Sequence, residues 1–237
     1  MVAKTVGILG RCGAIYYGQR PKSAKNYSHN QSMIPDYWHR ASAELAAADP
    51  QMAELVARYA GVGLASRGDP FATLARSIVG QQISVKAADS VWARFSTSVE
   101  AVTPAAVQAA GEAGLAGCGL SRRKIEYLCD LASHFVSGRL DPATWDAMDD
   151  AGIIAELTEV RGIGRWTAEM FLIFNQLRPD VFPLDDIGLQ RAVFERYFGG
   201  EKQTPKILAS FGARWRPWRS VATWYLWRSL DPVPVEY

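Results

Sequence analysis

Two adjacent carboxylates, Asp185 and Asp186, follow two proline-marked turns and precede Leu189, Val193 and Phe194, which recur at helical spacing. That spacing places the acidic pair at a helix N-terminus, where the dipole favours an ionised carboxylate. Such a group can stabilise a cation or activate water. N-capping alone accounts for either aspartate, although two neighbouring carboxylates exceed what one cap requires. Upstream, Val160-Arg161-Gly162-Ile163-Gly164 forms a Gly-x-Gly turn. Its glycines permit positive φ and close backbone approach, with Ile163 as an anchor in the core. The helix that follows begins with unpaired N–H groups at the positive end of its dipole, which suits phosphate. Most Gly-x-Gly turns between helices are only turns, so context has to decide. The third feature is residues 211–230, which hold four of the eight tryptophans, Trp215, Trp218, Trp224 and Trp227, interleaved with Arg214, Arg216, Arg219 and Arg228. Trp224 and Trp227 share a helical face. Tryptophan is more often core than ligand platform. Its face can nevertheless hold a flat or cationic ring by about 0.5–2 kcal/mol.

The elements that must position these groups read as helices. Leu45, Met52, Leu55, Val56 and Tyr59 lie about a turn apart and predict one helix ending at Gly61. Asp69-Pro70, Thr103-Pro104, Asp141-Pro142 and Thr204-Pro205 each pair a capping side chain with a proline whose missing N–H costs nothing at the first helical position. Phe71, Leu74, Ile78 and Val79 form one apolar face, which stops at Gly80. Gln81-Gln82-Ile83 bridges to a helix capped by Ser84, with Ala88, Val91, Trp92 and Phe95 inside. Gly119-Leu120-Ser121 opens another, with Ile125, Leu128, Ala132 and Phe135 inside. Arg122, Arg123 and Lys124 sit in its first turn, where the dipole disfavours cations and an external anion would suit them. Met170, Phe171 and Phe174 make the helix after the Gly-x-Gly turn a buried scaffold. No long alternating pattern marks a strand, so the expected class is all-α. A second lobe would be built by helices returning from both ends of the chain.

Composition narrows the function. The 237 residues are 49% hydrophobic and 11% aromatic, a globular composition. No apolar run approaches the roughly 18 residues that span a bilayer. Net charge is only +2, but residues 202–228 carry six Lys or Arg and no Asp or Glu, a local basic face that suits a polyanion or merely solvent. Cys12, Cys118 and Cys129 lack CxxC spacing, which argues for a reduced cytosolic chain. They are too few for a four-cysteine iron–sulfur cluster. His29, His39 and His134 show no zinc-ligand spacing. Residues 1–32 are basic and without period; a flexible tail is expected there, or a working start at Met33, with the core over 33–237.

Residues 157–193, together with RGIGRWTAEM, the GQQIS of residues 80–84 and the PWRSVATWYLW of residues 217–227, resemble the helix–hairpin–helix–GPD superfamily of DNA glycosylases, on the side of its 3-methyladenine members. The resemblance runs over about residues 36 to 230. It implies two helical lobes with an active-site cleft between them. Asp186 then matches the catalytic aspartate, and Trp166 stands where lyase-active relatives carry a lysine, implying base release without strand cleavage. Trp166, Trp227 and Met170 match base-pocket positions, Met170 replacing a tyrosine of some members. The resemblance puts Gly162, Ile163, Gly164 and Arg165 on the DNA backbone. Gln82 is the side chain inserted into the gap left by an extruded nucleotide. The carbonyls of Thr158, Val160 and Ile163 match positions that hold Na+ or K+ in relatives. No catalytic cofactor is implied, the form is the compact one without an N-terminal β-domain, and the protein would act as a monomer, in the cytoplasm near the nucleoid if bacterial.

The implied partner is double-stranded DNA with a damaged base, and the implied reaction is N-glycosidic hydrolysis of alkylated purines in base excision repair. Two rivals remain. A non-enzymatic DNA-binding helix–hairpin–helix module explains the glycines and the basic tail but not Asp186. A bifunctional lyase for oxidised bases is disfavoured by Trp166 and by the missing cysteine cluster.

Overall fold

A computed structural model describes residues 34–230, and the expectation for residues 1–32 lies outside them. Among the described residues there are eleven α-helices and no strand, so the all-α expectation holds. They are α1 (Trp38–Ala48), α2 (Pro50–Arg58), α3 (Pro70–Gly80), α4 (Val85–Ser98), α5 (Pro104–Leu115), α6 (Arg122–Val136), α7 (Asp150–Thr158), α8 (Arg165–Phe174), α9 (Ile187–Tyr197), α10 (Pro205–Gly212) and α11 (Arg219–Ser229). Among the described residues no helix is long and apolar enough to cross a membrane.

Capping chemistry sets most of the starts. Asp69 Oδ1 accepts from Ala72 N at 2.8 Å, Thr103 Oγ1 from Ala106 N at 3.2 Å and Thr204 Oγ1 from Ile207 N at 3.3 Å. Ser84 and Ser121 cap α4 and α6 in the same way. Two expectations are corrected. The single helix expected to run to Gly61 is two helices, α1 and α2. Pro50 lacks the N–H needed to continue the first. Asp49, in extended conformation, caps the second through Gln51 N and Met52 N. Asp141-Pro142 opens no α-helix: Asp141 Oδ1 accepts from Ala143 N, and the chain passes into a 3-10 turn at Trp145–Ala147.

The helices form two packed groups. From both ends of the chain, α1, α2 and α9 gather on α11. The middle of the chain supplies the other group, in which α3 packs on α4, α6 and α8, α5 on α6, and α7 on α8. Phe71, Leu74, Ile78 and Val79 are all buried, as their spacing requires. Within the second group, the end of α8 is tied to the segment before α3. Arg67 N donates to Phe174 O at 2.9 Å, and Asn175 Nδ2 to Gly68 O at 2.8 Å. Asp49 is a knot within the first group: Tyr197 and Trp215 both donate to its Oδ2, joining the start of α2 to the end of α9 and to the turn after α10.

Candidate active site

Asp186 is the N-cap of α9, and its Oδ1 accepts from Leu189 N at 2.6 Å. That is the capping role its position allowed, but it is not the whole environment. Trp227 Nε1, from α11, donates to the same oxygen at 2.8 Å. Trp166 Nε1, from α8, donates to Oδ2 at 3.0 Å. One half-buried carboxylate thus receives N–H donors from three elements and from both helical groups. Bonds from N–H groups to an ionised carboxylate are the stronger kind, and three of them fix its direction. Among the described residues no Lys or Arg forms a salt bridge with Asp186. Asp185 beside it is exposed, which leaves Asp186 as the member of the pair built into the site.

Gly188 makes this convergence sterically open. A Cβ there would lie 3.2 Å from Asp186 Oδ1 and 3.3 Å from Trp227 Cδ1. Trp227 stacks on Phe174 with centroids 5.7 Å apart and planes 22° off parallel, and Arg67 lies over the Phe174 ring at 4.6 Å. Met170, one turn along α8 from Trp166, is buried. The other tail tryptophans do different work. Trp224 packs edge-on against Trp38 in the core, Trp215 is buried on Asp49, and Trp218 stacks on Tyr37 and donates to Glu44. The basic face expected over residues 202–228 is only partly a face, because Arg219 pairs with Asp180 at 2.6 Å and Arg228 is buried.

The Gly-x-Gly turn joins α7 to α8. Gly162 has φ 86°, which a side chain resists, and a Cβ there would overlap the Tyr127 ring. Ile163 is buried, as an anchor should be. Gly164 differs from expectation. Its φ of −93° needs no glycine, and a Cβ would meet nothing within 4 Å; what it leaves is open space at the N-cap of α8. No side chain caps that helix, so its first N–H groups remain available to an external acceptor. Arg165, largely exposed in the first turn, is steadied by Glu169 Oε1 at 2.9 Å. Gln82 is exposed between α3 and α4 with φ 59°, a left-handed conformation unusual for a residue with a Cβ.

Two participants escape sequence reasoning. Gln81 Nε2 donates to Gly162 O at 2.8 Å, tying the α3–α4 turn to the hairpin across 81 residues of chain. Glu169 is a buried carboxyl whose Oε2 has no partner among the described residues. Burial pushes its pKa up, Arg165 opposes this, and the nearby charges of Asp185 and Asp186 add to the rise. Neither role carries a local signal, since each depends on contacts that only the fold creates. No cluster of three or more His, Cys, Asp or Glu suited to a metal occurs among the described residues.

Residues 75–217 match the profile of the HhH-GPD superfamily base excision DNA repair proteins. The chain belongs to that superfamily. It is similar to DNA-3-methyladenine glycosylase 1 of Schizosaccharomyces pombe, 31% identical over 184 residues, 76% of this chain and 80% of the relative. The solved DNA-3-methyladenine glycosidase of Bacillus halodurans superposes with TM-score 0.69 at 35% identity, over 78% of this chain and 90% of that one. A Schizosaccharomyces pombe 3-methyladenine DNA glycosylase solved in complex with abasic DNA gives TM-score 0.70 at 28% identity, covering 83% of this chain and all 100% of the other.

Proposed function

We propose that the protein is a monofunctional DNA glycosylase that hydrolyses the N-glycosidic bond of alkylated purines in double-stranded DNA. The family and the alkylpurine relatives support the reaction class. The observation that carries the mechanism is the Asp186 carboxylate, held by Trp166, Trp227 and Leu189 N, with no Lys or Arg in a salt bridge to it among the described residues.

A base stacked in a duplex must leave the helix before this carboxylate can reach its sugar, at a cost of a few kcal/mol. Gln82, exposed and left-handed at the α3–α4 turn, fills the gap that remains. Alkylation at N3 or N7 makes the purine cationic and a good leaving group, so no strong general acid is needed. Bond cleavage then builds an oxocarbenium-like sugar. Asp186 opposes that positive charge and orients or deprotonates the attacking water. Its donors are already in place, so little reorganisation accompanies the step. Trp166 in place of a nucleophilic lysine leaves water as the acceptor of the sugar, and the product is an abasic site in an unbroken strand. Trp166, Trp227 and Met170 border the space for the base. The uncapped amides of α8 and the guanidinium of Arg165 receive the phosphate beside the lesion.

The hairpin turn also suits a monovalent cation. Thr158 Oγ1 is turned back onto the carbonyls of Ile154 and Ala155, at 2.8 and 3.0 Å. Val160 O already accepts from Ile163 N at 3.1 Å. The family resemblance would place Na+ or K+ on the main-chain oxygens of Thr158, Val160 and Ile163, a hard donor set without charge. Such an ion would stiffen the hairpin. In this reading the protein acts as a monomer, in the cytoplasm near the nucleoid if bacterial, and uses no catalytic cofactor.

Incubating the protein with methylated duplex DNA tests this reading. Free methylpurine should appear, with strand breaks only after alkali. Breaks before alkali would indicate a lyase, and binding without base release a non-enzymatic module.

A further inference from the structure

Lys124 is one of three cations in the first turn of α6, where the helix dipole disfavours them. Its ammonium does not face solvent alone. It donates to Val79 O at 2.8 Å and to Gln81 O at 2.7 Å, the carbonyls that close the C-terminal end of α3 immediately before Gln82. A cation there meets the negative end of the α3 dipole. Two further residues follow on the same face of α6 at three-residue steps. Tyr127 lies against Gly162, so closely that a Cβ on the glycine would overlap its ring. Asp130 Oδ2 accepts from Arg161 N at 2.8 Å, and its Oδ1 lies 3.5 Å from Arg161 Nη2. Gln81 Nε2 then closes the figure by donating to Gly162 O.

We infer that α6 is the jig of the DNA-binding face: Lys124 holds the Gln82 turn, Tyr127 and Asp130 hold the hairpin, and Lys124 is a positioning residue for base extrusion. The inference rests on the reading of Gln82 as the side chain inserted into the duplex. Packing of α3 on α6 does not need Lys124, because Ile78, Val79, Ile125 and Leu128 are buried there already. Burial pulls the lysine's pKa below its usual range, a cost that apolar contact alone would not incur. What the ammonium adds is direction. It satisfies two carbonyls at the end of a helix and keeps the next residue left-handed, a conformation that persists only where its surroundings impose it. The hairpin sets which phosphate is gripped, the turn sets where the wedge enters, and α6 fixes the distance between them.

The test compares single-turnover excision of 7-methylguanine paired with cytosine and of the same lesion opposite an abasic analogue, where little pairing has to be broken. For Lys124→Met, excision of the paired lesion should fall about tenfold further than excision of the unpaired one, the scale expected from misplacing a group by a fraction of an ångström. Lys124→Arg, which retains a cationic donor, should recover most of the difference, and Gln82→Ala should show the same bias towards the paired lesion. A merely structural role lowers both rates equally, and that result for Lys124→Met, with Gln82→Ala biased, overturns the inference while leaving the wedge in place. An unbiased Gln82→Ala removes the wedge and the inference together. The role of Asp186 is untouched by either result.

Discussion

Gly188→Ala sets helix propensity against site geometry. Gly188 is the second residue of α9, and alanine there is favoured by up to about 1 kcal/mol in a helix. Its Cβ, however, would lie 3.2 Å from Asp186 Oδ1, 3.3 Å from Trp227 Cδ1 and 3.4 Å from Trp227 Nε1. Carbon atoms prefer about 3.5–4.0 Å, so the indole has to retreat by several tenths of an ångström. Its bond to Oδ1 is 2.8 Å, and such a retreat takes it to the long edge of N–H···O geometry. A hydrogen bond to a charged group contributes about 1.5–3 kcal/mol. If half or more of that stabilisation is expressed at the sugar cation, kcat falls roughly 4- to 160-fold. Unfolding should occur at the same temperature or higher. Single-turnover release of methylpurine and a thermal melt on the same preparation measure both. Full activity with an unchanged or raised melting temperature refutes the geometric reasoning; loss of both signals a folding defect that the structure does not predict.

Trp166→Phe keeps a ring on α8 but removes the donor to Asp186 Oδ2; kcat should drop about tenfold with thermal stability nearly unchanged, as read by the same two assays. Glu169→Gln should alter the pH dependence of stability. Burial raises the folded-state pKa of Glu169, so the wild-type side chain costs nothing extra below its unfolded value of about 4.3 and becomes increasingly unfavourable as pH rises through the folded value. The variant's relative melting temperature should therefore increase between about pH 4 and pH 7, and a pH-independent difference contradicts the assignment.

Part of the candidate site is legible in the sequence because its signals are local. Gly162 and Asp186 are marked by turn and capping chemistry within a few residues of each, and the helices starting at Pro70, Pro104 and Pro205 by the cap and proline before them. The same logic fails at Asp141-Pro142, where a cap and a proline lead only to a 3-10 turn, and apolar spacing that continues across Asp49-Pro50 hides the helix break there. The tail tryptophans show another limit. Spacing put Trp224 beside Trp227, but packing against Trp38 draws Trp224 into the core and leaves Trp227 to reach Asp186. The indoles themselves were expected to offer their faces to a base; that their N–H edges also hold the carboxylate depends on side-chain direction. Lys124, Gln81 and Glu169 act through contacts between distant segments, or through burial, and nothing adjacent to them in the chain announces it.

Asp186→Asn tests the central claim most directly. Asparagine caps a helix about as well as aspartate, so α9 and the fold should survive. The amide oxygen can keep the bonds that Leu189 N and Trp227 Nε1 donate to Oδ1, but its NH2 then meets the Trp166 N–H as donor against donor, and the neutral group cannot oppose a sugar cation with a full charge. Release of methylpurine from methylated duplex DNA should fall by about 100-fold or more, the scale seen when one transition-state electrostatic contact is removed, while DNA binding is retained. Base release near the wild-type rate would contradict the account.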